Sequence, residues 1–235
     1  MSAKAIIAVV LWTAIVISVV VIWMRERDSQ RRLTEAAARL VSAKLQGRLT
    51  QAVGQWRIDA VYDGRPVVVV LGGKFLARGD MDSGTDFVPT LEIKTPCSTS
   101  AQLAIHYNFL PGAAGYMRDL WSTTRGSKVT TGARDFDSRF LVESSVSLDA
   151  IILDDGIRER MLLSQSAVHG HSLDGHAWSM QVGDGLVEGH EVFNEGSQTV
   201  PATEIASETI SRVGVVCALA ASAERLKPGG TPATP

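Results

Sequence analysis

The chain has 235 residues, with 23 Lys and Arg against 25 Asp and Glu and a formal net charge of -2, so it has room for one domain and no strong field of either sign. A protein that binds nucleic acid chiefly through phosphates needs a positive field, and a disordered chain needs fewer apolar residues than the 45% found here; both classes are set aside. Cys97 and Cys217 stand far apart in no Cys-x-x-Cys or finger spacing, so neither a disulfide framework nor a structural zinc site is expected, and both read as buried thiols.

From Ala5 to Trp23 the chain runs AIIAVVLWTAIVISVVVIW, uncharged and polar only at Thr13 and Ser18. As a helix it is about 28 Å long, nearly a bilayer span. A secretory signal has a shorter apolar region ending in a small-x-small cleavage site, whereas this run ends in Ile22, Trp23 and Met24. The sequence therefore predicts a flank over 1–4 and an uncleaved transmembrane helix over 5–23, with the lipid bilayer as partner. Lys4 is the one basic side chain before the run, while Arg25, Arg27, Arg31 and Arg32 follow it. The positive-inside rule then puts the rest of the chain on the cytoplasmic side of the inner (plasma) membrane. Leu33, Ala37, Leu40, Val41 and Leu45 recur at helical spacing, predicting an amphipathic juxtamembrane helix over 24–46. Its apolar stripe packs on its own domain or on a second copy, and its four arginines are available to anionic lipid.

Residues 47–226 are expected to form one α+β domain of antiparallel hairpins packed with helices, followed by a disordered tail over 227–235. WRIDAVY from Trp56, Asp63-Gly64 and RPVVVVLGG from Arg65 predict a hairpin, because both positions of a two-residue turn favour positive φ. Pro66 places its part of the strand near the turn or at an edge. Strands over Val88 to Lys94 and Gln102 to Phe109 complete a first sheet in this reading, with RGDMDSGTD from Arg78 as a polar loop between them. A connection with one helical turn near Met117 to Trp121 fills Pro111 to Lys128, and Phe136 to Val142 resumes an extended pattern. Helical pieces follow at Leu148 to Leu153 and Ile157 to Ser164, the second capped by Asp154 or Asp155. A second hairpin is expected from Val168 to Val182 around Asp174-Gly175. A long helix from Ala202 to Leu226 then carries the apolar stripe Ile205, Thr209, Val213, Val216, Cys217 and Ala220, which is expected to cover the sheet.

The chemistry-bearing run is HGHSLDGH from His169. In a hairpin turning at Asp174-Gly175, His169, His171 and His176 project from one sheet face, where three imidazoles suit zinc or copper. Leu173, Trp178 and Met180 share that face, which favours packing with histidines at the exposed end. Gly170 to Asp174 misses a G-x-S-x-G elbow by its last residue, and a hairpin is the wrong setting for one. Asp80, Asp82 and Asp86 approach a calcium loop, but Gly84 and Glu92 are each displaced by one place. Gly72-Gly73-Lys74 lacks the preceding glycine and following hydroxyl of a phosphate loop. No cofactor is expected.

TGARDFDSRFLVES from Thr131, followed by LDDGIRERMLL from Leu153, resembles a class of uncharacterised bacterial membrane-anchored domains with the signature G-D-x-x-F-[DE]-x-x-F-x-V and a following helix. Phe136, Asp137, Phe140 and Val142 match the first element, and Leu153, Met161 and Leu162 suit the second. Ala133 departs from the pattern where an acidic residue is usual. The resemblance implies a relative and no activity. With no nucleophile, acid and base pair or complete ligand set surviving the spacing tests, the expected function is a non-enzymatic interaction or scaffold module with an unknown protein partner. The alternatives are a metal-dependent enzyme or metal sensor using His169, His171 and His176, and a regulator at the lipid surface.

Overall fold

The computed structural model describes residues 3–52, 54–77, 85–99, 101–107, 127–144, 153–166, 178–192 and 201–225. Within them the fold is α+β, with antiparallel strands and a long apolar C-terminal helix. A single helix, α1 (Ala3–Leu45), leads into a meander of β1 (Arg48–Ala52), β2 (Gln55–Tyr62), β3 (Arg65–Ala77) and β4 (Thr85–Pro96). After β5 (Leu103–Tyr107) and β6 (Ser127–Val129) come α2 (Arg134–Arg139), β7 (Phe140–Ser144) and α3 (Asp155–Ser166). The hairpin β8 (Ser179–Gly183) and β9 (Leu186–Val192) precedes the last helix, α4 (Ala202–Glu224). The nine strands form one sheet in the order β1-β2-β3-β4-β9-β8-β5-β7-β6. The β8-β9 hairpin therefore lies between β4 and β5.

Period-two burial gives the β2-β3-β4-β9 part of this sheet one covered face, whereas β7 is buried at every position. Ile58 on β2, Val67, Val69 and Leu71 on β3, Leu91 and Ile93 on β4, and Val187 on β9 are all at most 2% exposed and belong to one core. Each such side chain contributes about 1.5 to 3 kcal/mol by leaving water. Helices α1 and α4 pack on each other and on this sheet, and α3 packs on α4. The stripe expected on α4 is buried throughout: Ile205, Thr209, Val213, Val216, Cys217 and Ala220 all lie inside. On α1, Ala37, Ala38 and Val41 are fully buried and Leu45 nearly so, whereas Leu40 points outward at 42% exposure. The stripe thus packs on its own domain, shifted by one helical row from the sequence pattern.

Gly47 makes the entry from α1 into the sheet possible. A Cβ there would stand 2.8 Å from both Ala60 Cβ and Ile58 Cγ2. The hairpin at Asp63-Gly64 forms as expected, with φ of 49° and 76° and Tyr62 paired to Arg65. Pro66 sits beside that turn, opposite Val61.

Three expectations are corrected. The first sheet does not end at the Gln102 to Phe109 strand, because β9 and β8 separate it from β4. Asp86 lies on β4, paired with Leu76, rather than in a loop. Phe136 is helical, so the extended segment starts at Phe140. Among the described residues the helix that is long and apolar enough to cross a bilayer, by length and composition, is α4, and 61% of its apolar window is buried in the domain. The expected span at 5–23 is helical as part of α1.

Candidate functional site

The two segments of the sequence signature meet in space. Asp137, on the first turn of α2, accepts hydrogen bonds from Thr131 N at 3.0 Å, Thr131 Oγ1 at 2.7 Å and Gly132 N at 3.1 Å. That carboxylate folds the preceding turn onto the helix, and Gly132 at φ 81° supplies the left-handed residue the turn requires. One helical turn brings Phe136 under Phe140, with ring centroids 4.6 Å apart and nearly parallel planes. Both rings are buried.

The second segment opens α3. Asp154 Oδ1 accepts from Ile157 N at 2.9 Å, so it is Asp154 that caps the helix. Arg158 pairs with Asp155 one turn away. Between α2 and α3 lies a cleft of about 380 Å³, with Phe136 and Leu162 among its apolar walls and Arg134, Asp135, Asp155, Arg158 and Glu159 around it. Among the described residues its lining carries no Ser, Thr, Cys or His.

A second constellation was not anticipated. Arg212 on α4 is fully buried, donating from Nε and Nη2 to Glu191 of β9 at 2.9 Å each. Its guanidinium stands 4.4 Å from the Trp178 ring centroid, and Glu208, one turn back on α4, approaches Nη2 at 3.8 Å. Gly189 gives the indole its space, since a Cβ there would stand 3.2 Å from Trp178 Nε1 and 3.0 Å from Val216 Cγ2. Arg212 Nη1 and Trp178 Nε1 meet no hydrogen-bond partner among the described residues. Dispersed charge and a planar fork suit Arg to this dry, bidentate and stacked setting. The signal in the sequence was the position of Arg212 on the helical wheel, next to Ile205 and within the apolar arc. Its spacing of four from Glu208, itself four from Glu204, fits an exposed charged row equally well.

His169, His171 and His176 lie outside the described residues, as do Asp80, Asp82, Gly84, Trp121 and the expected turn at Asp174-Gly175. Among the described residues no group of three or more His, Cys, Asp or Glu is placed to hold a metal ion. Gly72, Gly73 and Lys74 continue β3, paired with Thr90, Pro89 and Val88, which is no setting for a phosphate loop. Cys97 and Cys217 are free and buried, and burial pushes both thiols up to about 11, leaving them protonated and unreactive at neutral pH. On the uncovered sheet face, Lys94 bridges Glu92 at 2.8 Å and Glu188 at 3.2 Å, with His190 alongside. These are solvated pairs, Lys94–Glu92 along β4 and Lys94–Glu188 across to β9.

No family model, no curated protein and no solved structure matches the chain.

Proposed function

We propose that the protein is a non-enzymatic interaction or scaffold module tethered to the inner (plasma) membrane by residues 5–23, with its α+β domain on the cytoplasmic side and the α2-α3 cleft as its docking surface. The observation that carries this reading is α1, a single helix whose first half presents apolar side chains outward and whose second half fills the domain core. The large apolar residues from Val10 to Met24 are exposed by between 41% at Trp23 and 70% at Trp12. A continuous apolar surface of that kind needs a cover, and a bilayer supplies one. At its end the Arg27 guanidinium lies 5.6 Å from the Trp23 ring centroid, a pairing suited to the headgroup level. From Trp23 to Thr34, the first buried residue among those described, an uninterrupted helix rises about 16 Å. The domain is then held at a fixed height, which suits a scaffold. The likeness to membrane-anchored domains in the segments from Thr131 and Leu153 agrees with this reading.

Alkaline extraction of membranes tests the tether. The natural chain should stay in the pellet, and a variant with Ile15→Lys and Val19→Lys should leave it with its thermal unfolding unchanged. Release of the natural chain would refute the reading. A tag after Pro235 that resists protease, with the inner membrane intact and its outer face exposed, supports cytoplasmic placement; digestion reverses it.

A further inference from the structure

We infer that α1 is also a self-association surface whose partner is a second copy of this chain, held parallel in the same membrane. The inference rests on the tether proposed above. The domain covers one side of α1 through Thr34, Ala37, Ala38, Val41 and Leu45. Beside that side, Leu33 is half-buried, and Ala36, Leu40 and Ala43 are exposed. Apart from the run Val10 to Met24, Leu40 and Val61 are the exposed large hydrophobic residues among those described.

Positions 33, 36, 40 and 43 step by three, four and three, the spacing of a coiled-coil seam. Carried back by sevens along the same unbroken helix, the seam meets Ile22, Val19, Ile15 and Trp12, and avoids the polar Thr13 and Ser18. Alanine alternating with leucine in the aqueous part allows two helix backbones to approach closely. Arg39 flanks the seam and is bound by Glu35 at 2.7 Å, which reduces the repulsion between basic side chains of two facing helices. Positions 26 and 29 are Glu26 and Ser29, so the seam is interrupted between its two apolar stretches.

A second copy is the occupant that fits. A bilayer gives every copy the same direction, and a seam with a 3.5-residue repeat can pair with its own copy as parallel helices related by a two-fold axis. The aqueous part, Leu33 to Ala43, is about 15 Å long and too small to hold a dimer in free solution. Confinement in the membrane raises the effective concentration enough for it to act together with the span.

The test is cysteine crosslinking of the full chain in native membranes with a short bismaleimide. Cys97 and Cys217 are buried, so single variants read out without background. Leu40→Cys and Ala36→Cys should give several-fold more covalent dimer than Arg31→Cys, which lies on the opposite side of α1, with thermal unfolding unchanged in all three. Equal or absent crosslinking in chains that resist alkaline extraction overturns the self-association and leaves the tether standing. Chains that wash out of the membrane overturn the tether and this inference with it.

Discussion

Arg212→Met is the most informative single change in the core. The substitution keeps an unbranched apolar stem but strips a fully buried Glu191 of its bidentate partner. Leaving one member of a buried pair alone costs about 3 to 5 kcal/mol, and loss of the stack on Trp178 adds up to about 2 kcal/mol. At roughly 2 to 4 °C per kcal/mol for a domain of this size, the melting temperature should fall by at least about 6 °C. The double variant Arg212→Met with Glu191→Leu removes both charges, and such replacements are often neutral or stabilising by about 1 to 4 kcal/mol. It should therefore melt well above Arg212→Met despite carrying one more substitution. The assay is thermal and urea unfolding of the full chain in detergent micelles, followed by near-ultraviolet circular dichroism and arranged as a double-mutant cycle. The reasoning fails if Arg212→Met lies within about 1 kcal/mol of the natural chain, or if the double variant is no more stable than the single one.

Two further outcomes bear on the candidate site and on pH. Asp137→Ala removes the acceptor of three hydrogen bonds from Thr131 and Gly132, and should cost about 1.5 to 3 kcal/mol by urea midpoint, with Asp137→Asn intermediate. Burial holds the His106 imidazole below its ordinary value of 6.5, with the Glu143 charge acting in opposition. As pH falls through about 6.5 the unfolded chain binds the proton first, so stability present above that value is lost below it. The urea midpoint should fall between about pH 7.5 and 5.5, and His106→Asn should flatten that slope. A second loss belongs to lower pH, where Glu224, held below the usual carboxylate range by the Arg65 guanidinium, takes up its proton.

The parts of the fold legible in the sequence were those in which local chemistry and burial agree. Asp63-Gly64 lies between runs with inward Ile58, Val67 and Val69, and both the turn and its strands were readable. Asp184-Gly185 makes the same turn, with φ of 51° and 79° and Gly183 paired to Leu186, yet it gave no comparable signal. The inward positions of β9 are Val187, Gly189 and Glu191, so the alternation was broken by the indole's space and by Arg212's partner. Phe136 and Phe140 misled in another way, because a spacing of four satisfies both an even strand period and one helical turn. β1 was missed since only Leu49 among Arg48 to Ala52 is a large apolar residue, as suits an edge strand. The pairing of the two signature segments around one cleft was not readable at all, being a product of tertiary packing.

The first and last helices of the chain are neighbours in the core. During synthesis the face of α1 formed by Ala37, Ala38, Val41 and Leu45 is made before the sheet, and its cover, α4, only after it. At about 5 to 20 residues per second, the stretch between Leu45 and Glu224 takes roughly 9 to 36 s. Through that interval the newborn chain presents an incomplete domain, open to chaperones and proteases. A stop codon anywhere before α4 would leave α1 and the sheet without their lid, so truncated products of this gene should be cleared rather than accumulate as partial domains.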